Sequence, residues 1–320
     1  MYKLYNQNQL WVETICYEDE HIEKVWNKMK TMLPKYFQNY LETDKNLVAN
    51  NSAIELLKAK FNVPLSPKTK QKDYSNILQS IATSAIEQFD KKQSKYLEIL
   101  DIDTLMEIPI NDYGNFKKNT LRNKIPIIRE TLQSKRKELD GYKESFNLAD
   151  SEDLYQVVFN IVKRATDLST LKELDYLDPE QFDFDDEQYT VTSVIGGGIK
   201  SRFLYNMNPM LYPDRNRNAI YALWYLVDKD DLDCKEGSEF LMIDRNPSKP
   251  STQHNYFYPY FLFAYYANQI AQYLEIQYTK YGVKFYMDKK FVYVADFLEF
   301  IADNHKTEID TLKGNEYYDY

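Results

Sequence analysis

The residues best placed to do chemistry lie in one short stretch, Val194-Ile195-Gly196-Gly197-Gly198-Ile199-Lys200-Ser201-Arg202-Phe203-Leu204. Three of the chain's eight glycines stand together there, with a lysine just beyond them. β-Branched residues precede the cluster and an amphipathic segment follows it. That is the pattern of a tight hairpin opening a helix, whose first amides can hold a phosphate. The spacing excludes two familiar nucleotide loops. A Walker A loop needs glycine before its Lys-Ser pair, but Lys200-Ser201 follows Ile199, and Val194 stands where the earlier glycine belongs. A dinucleotide fingerprint needs a glycine where Ser201 stands, and a βαβ unit around it. What remains is a phosphate held by Gly196, Gly197, Gly198, Ser201 and Arg202. Arg215 and Arg217 add guanidinium forks that match phosphate oxygens.

Read from Ile195 to Leu204, the stretch resembles the helix-hairpin-helix of the DNA glycosylase superfamily. That motif is an apolar residue, Gly-x-Gly, two residues, then a small residue opening the second helix. The resemblance covers about residues 191–226 and implies that the hairpin amides grip one DNA phosphate. It also implies a role for Lys200, which holds the place of the lysine that forms a Schiff base in bifunctional members. Such an amine must be partly desolvated to be neutral near pH 7. The family's catalytic aspartate follows a proline-containing segment, here Leu211-Tyr212-Pro213-Asp214-Arg215-Asn216-Arg217-Asn218. Asp214 arrives a few residues early, and counting from the glycines puts Asn218 near that place. The expected function is engagement of nucleic acid, in DNA repair or phage defence. If the chain is an enzyme, the resemblance points to a glycosylase or lyase.

Two other readings come from a different chemistry. Asp228, Asp230, Asp231 and Asp233 precede Glu239 and Asp244, an order seen in metal-dependent nucleases, but no lysine follows two residues after Glu239. A non-enzymatic protein-binding role could use the acidic loop from Glu173 to Glu187 and an aromatic helix from about Tyr258 to Ile276. Arg245-Asn246 and His254 are too far apart, across Pro247 and Pro250, for an Arg-to-His ribonuclease motif; His254-Asn255 could instead cap the aromatic helix. Cys16 and Cys234 are the only cysteines, far apart in sequence, and there are three histidines. On that basis neither a disulfide nor a His/Cys zinc site is expected, no cofactor is assigned, and any metal would be held by carboxylates.

Composition narrows the partners. The net charge is -9, so nucleic acid must be met by a local patch and not by a basic surface. The 29 tyrosines fit an AT-rich genome better than a stacking surface. Cysteine usage suits a cytoplasmic protein. The N-terminus does not read as a signal peptide, and the charge-free stretch from Pro250 to Leu274 is too rich in Asn, Gln and Tyr for a lipid-facing helix, so no membrane partner is expected.

The elements that must position these residues are mainly helical. Apolar residues at three- and four-residue steps predict a helix from Glu20 to about Leu41, which Pro34 should kink or split. Further helices are expected through Ile54–Phe61, from Tyr74 to about Leu100, from Ser151, through Leu204, from Ala219 to Val227 and from Val292 to Ala302. Val63–Lys72 reads as a linker, and a basic helix is expected around residues 117–137. Strands are expected at 239–243 and 283–287. The fold class is therefore mainly α, a multi-helix globular protein with at most a small β-sheet or hairpin in the C-terminal half. Its domains are an N-terminal helical region, 1–110, and a helical domain, 111–320, carrying the glycine hairpin and the aromatic core helix.

Overall fold

A computed structural model describes residues 12–42, 67–100, 144–145, 148–170, 174–182, 184, 186–235, 237–244 and 251–312. Eight helices of at least seven residues are seen among them: α1 (Asp19–Glu42), α2 (Pro67–Leu100), α3 (Ser151–Ser169), α4 (Gly197–Met207), α5 (Arg217–Leu226), α6 (Tyr260–Lys280), α7 (Lys290–Asn304) and α8 (Lys306–Leu312). The only sheet among the described residues is a hairpin of β1 (Leu241–Asp244) and β2 (Ser251–His254), antiparallel with Leu241 opposite His254. The mainly helical fold expected from the sequence is what forms.

The chain divides into two compact units. One comprises residues 1–87, 217–258 and 269–320; the other comprises 88–216 and 259–268. The expected boundary at 110/111, the helix at Ile54–Phe61 and the basic helix at 117–137 lie outside the described residues.

In the first unit α1 packs on α5 and α7, α5 packs on α7 and the hairpin, and α8 closes against α7 and β2. The amphipathic face of α1 drives this: Ile22, Val25, Met29, Leu33, Phe37 and Leu41 are all buried. Pro34 lies inside α1 without ending it. Tyr40 sits between Phe297 and Phe300, with ring centroids at 5.3 and 5.0 Å, and donates its hydroxyl to Asp296.

In the second unit α3 packs against α4 and a short turn at Glu187–Tyr189. Asp150 caps α3 by accepting from the Glu152 amide at 2.6 Å. Tyrosine hydroxyls fasten this unit internally. Tyr212 donates to the Ala165 carbonyl at 2.8 Å, Tyr260 to Pro213 at 3.0 Å and Tyr176 to Leu211 at 3.3 Å. These three tyrosines are core residues whose rings pack and whose hydroxyls bond to backbone.

Three local expectations change. Pro67 opens α2, so the expected linker is already helix there; proline is pre-shaped for a first helical position. Val283–Tyr286 is not a strand. Gly282, at φ 70°, ends α6, with Val283 N–H on Tyr278 O at 2.9 Å and Gly282 N–H on Thr279 O at 3.0 Å. Asn255 does not cap α6, which starts at Tyr260; it ties back to β1 by donating to the Glu239 carbonyl at 3.0 Å. The aromatic helix is buried as expected, with Leu262, Phe263, Tyr266 and Ile270 enclosed. Among the described residues, no helix is long and apolar enough to cross a membrane.

Candidate nucleic-acid interface

The glycine triplet is the start of α4. Gly196 is its N-cap residue, in extended conformation, and Gly197 and Gly198 form its first turn. Before it comes a tight turn closed by an isolated bridge between Val191 and Ile195, with Ser193 at φ 61°. The preceding helical element is only the short turn Glu187–Tyr189, so a long helix does not lead into the glycines as in a full helix-hairpin-helix. The first α-helical bond runs from the Lys200 amide to the Gly196 carbonyl at 3.0 Å. The amides of Gly197 and Gly198 precede it, and Gly196 and Gly198 are exposed.

Each glycine has its own environment. A Cβ on Gly197 would lie 2.6–2.9 Å from the guanidinium of Arg215, so this position is glycine because an arginine packs against its Cα. A Cβ on Gly196 would meet nothing within 4 Å, and one on Gly198 would make ordinary contact with the Arg215 carbonyl at 3.8 Å. Arg215 arrives on the loop Tyr212–Asn216, which folds over the first turn of α4. Ser201 fastens it there, its hydroxyl lying 3.1 Å from the Arg215 and Gly198 carbonyls. Behind that loop stands Tyr260, whose phenol burial pushes well above its ordinary value.

Charges converge on the same place. Asp214, buried, accepts from Arg202 at 2.7 Å and from the Asn216 amide at 3.0 Å. The Arg202 side chain keeps about a quarter of its surface exposed. Ser201, Arg202, Asp214 and Arg215 are therefore brought together around the glycines. Lys200 is present but turned inward. It is 4% exposed and donates Nζ to the Phe184 carbonyl and, at 3.2 Å, to the Thr190 hydroxyl. It ties α4 to the segment before it. Arg217 and Asn218 belong to the first turn of α5, in the other compact unit. Arg217 is exposed, and Asn218 donates to Glu299 at 2.7 Å.

The nuclease carboxylates do not form a shared cation site among themselves. Asp230 pairs with Lys28 at 3.1 Å and accepts from the Leu232 amide; Asp233 pairs with Lys24, and Asp231 accepts from the Asp233 amide at 3.2 Å. The Leu232 amide bond, then Lys28, holds the Asp230 carboxyl below its ordinary range. These residues shape a loop and fasten it to α1. Glu239 is buried, apart from their turns, and accepts from Tyr258 at 3.2 Å.

A groove of about 630 Å³ lies between the start of α3 and residues 187–193. Asp150, Asp153 and Glu187 line it, which makes it a poor seat for a phosphate. Sequence reasoning missed a different cluster, in which Cys16 and Cys234 meet beside His21 and Glu239. A separation of 218 residues hides that meeting from any reading of spacing. No protein-family model, curated protein or solved structure matches this chain.

Proposed function

We propose that the protein binds nucleic acid by seating a backbone phosphate on the N-terminus of α4. The amides of Gly197 and Gly198 supply the donors, and Arg202 and Arg215 supply the positive field. One observation carries the reading: an exposed glycine backbone opens an eleven-residue helix, and a buried guanidinium packs against that same first turn. Helix amides and the helix dipole favour an anion there. Arg202 and Arg215 both come to this first turn, and Asp214 is paired with Arg202.

Binding is favoured over lyase chemistry. The Lys200 amine is buried and engaged with the Phe184 carbonyl and the Thr190 hydroxyl, so it is not presented to a substrate at the surface.

The test is fluorescence anisotropy with single- and double-stranded oligonucleotides across a salt series. Affinity should fall with salt, with a slope of about -0.9 per phosphate neutralised on duplex. Gly196→Asp separates binding from folding. An aspartate there can cap α4 without a clash, yet puts a carboxylate where the phosphate sits. Binding should vanish while the melting temperature holds or rises. A salt-independent signal, or wild-type affinity in this variant, would overturn the reading.

A further inference from the structure

We propose that Cys16, His21, Cys234 and Glu239 form a buried structural site for a tetrahedral transition-metal ion, zinc by the chemistry of its donors. The site is separate from the phosphate seat and lies wholly within the first compact unit.

The donor atoms already have the spacing such an ion requires. Cys16 Sγ and Cys234 Sγ are 3.8 Å apart. Two thiolates each about 2.3 Å from a tetrahedral zinc would stand about 3.8 Å from one another. His21 Nε2 and Glu239 Oε1 are 3.5 Å apart. An imidazole nitrogen and a carboxylate oxygen on the same ion would be separated by about 3.4 Å. A histidine nitrogen and the two sulfurs all lie within 4.8 Å of one another. Three groups thus come within one ion's reach, and the Glu239 carboxylate stands beside the imidazole as the candidate fourth donor.

Burial makes the cluster hard to explain otherwise. All four residues are 0–5% exposed. Neither His21 Nε2 nor Glu239 Oε1 has a hydrogen-bond partner among the described residues. Buried polar atoms are seldom left so, because losing water without a replacement partner is costly. A divalent cation would take up the two cysteines as thiolates, releasing their protons, and would partner the imidazole and the carboxylate.

The surroundings fit a metal clip. Cys16 sits on the short turn Thr14–Tyr17 and His21 in the first turn of α1. Cys234 ends the loop after α5, and Glu239 precedes β1. That loop holds Asp228, Lys229, Leu232 and Asp233 at φ values between 53° and 71°. Lys229 and Leu232 reach that region only when the fold forces them. Tyr258 donates to Glu239 Oε2 at 3.2 Å, leaving Oε1 toward the cluster, as an outer partner orients a metal ligand. Thiolate donors select zinc over magnesium, and an enclosed site with four protein donors is structural, not catalytic.

The full chain, purified under reducing conditions, should carry one zinc per molecule by elemental mass spectrometry. Exchange with cobalt(II) should give a thiolate-to-cobalt charge-transfer band and the visible bands of a tetrahedral ion. The double variant Cys16→Ser, Cys234→Ser should lose both. Because that variant could fail to fold, Tyr258→Phe provides a gentler probe. Removing only the hydroxyl that orients Glu239 should weaken zinc binding about 10- to 100-fold in competition with a chelator. Folded, reduced wild-type protein without stoichiometric metal and without the cobalt–thiolate band would overturn the proposal. So would a chain two hydrogens lighter than its reduced mass and devoid of metal, because the cysteines would then be a disulfide.

Discussion

The start of α4 and the Cys16–Cys234 cluster are built in opposite ways. At α4, residues 196–202 and 212–216 meet, close in sequence, and the backbone faces solvent. At the cysteine cluster the groups come from both ends of a 218-residue gap, and every side chain is enclosed. The first arrangement can receive a large anionic partner from outside. The second can hold only something small, and holds it permanently. The contrast separates the proposed binding surface from the proposed folding clip.

The sharpest way to break this comparison is to remove one ligand of the clip. His21→Ala leaves the Glu239 carboxylate buried without its imidazole neighbour. Loss of one partner from a buried charged cluster costs about 3–5 kcal/mol, so denaturant unfolding should shift by about that much. A chelator should lower the melting temperature of the wild type and leave this variant unmoved. If the chelator leaves the wild type unmoved as well, the clip is not a metal site.

Within the phosphate seat the largest effects should come from its buried charges and from the one glycine packed against them. Asp214→Asn removes the partner of Arg202. Because Arg202 is partly exposed, the loss should be nearer 2 kcal/mol than the full value for a buried pair, and anion affinity should hold or increase. Lys200→Met strips a donor from the Phe184 carbonyl and the Thr190 hydroxyl, costing about 1–3 kcal/mol. Borohydride treatment with an abasic oligonucleotide should trap no adduct on the wild type. A trapped adduct that Lys200→Met abolishes would return Lys200 to a catalytic role.

Three single alanines then resolve the triplet itself. Gly197→Ala should destabilise by about 1–3 kcal/mol, because its methyl group must displace the buried Arg215 guanidinium. Gly198→Ala should gain about 0.5 kcal/mol by restricting the unfolded chain. Gly196→Ala should lose a few tenths, since alanine caps poorly, with no steric effect. Equal effects at all three, by thermal unfolding, would mean that the triplet is only a flexible turn.

These differences also explain what could be read from the sequence. The helices at α1, α3 and α7 announced themselves through apolar periodicity, and the glycine run announced a helix start. Of the basic residues expected to gather at the glycines, Arg202 and Arg215 do so, because a short connection keeps sequence neighbours together. Two facts needed three dimensions. The role of Gly197 depends on where the Arg215 side chain lands, and the inward turn of Lys200 depends on Phe184 and Thr190. The meeting of Cys16 with Cys234 was illegible for a stronger reason. Zinc signatures are recognised as paired ligands at short spacing, and here one cysteine lies in a turn before α1 and the other in a loop after α5. Only the packing of α1 on α5 brings them together.

The smallest effect is a pH dependence that should mark the first unit and spare the seat on α4. His305 stacks on Tyr225 with ring centroids 3.7 Å apart, and its Nε2 shares a 2.8 Å hydrogen bond with the Tyr36 hydroxyl. Burial lowers its pKa from the ordinary 6.5, with Lys229 and Lys35 adding to the effect and Glu308 opposing it. Below pH 6.5 the unfolded chain therefore binds a proton that the folded chain resists. Stability falls as pH drops below about 6.5 and levels off once the folded His305 is itself protonated. Above 6.5 both states are neutral and this contribution is constant. His305→Phe keeps a ring against Tyr225 and removes the titration, so the difference in melting temperature between wild type and variant should change with pH only below about 6.5. The amides of Gly197 and Gly198 carry no titrating group, and oligonucleotide affinity should stay level between about pH 5.5 and 8 while stability drifts. An affinity that follows the His305 titration instead would tie binding to the first unit, and the separation of surface from clip would fail.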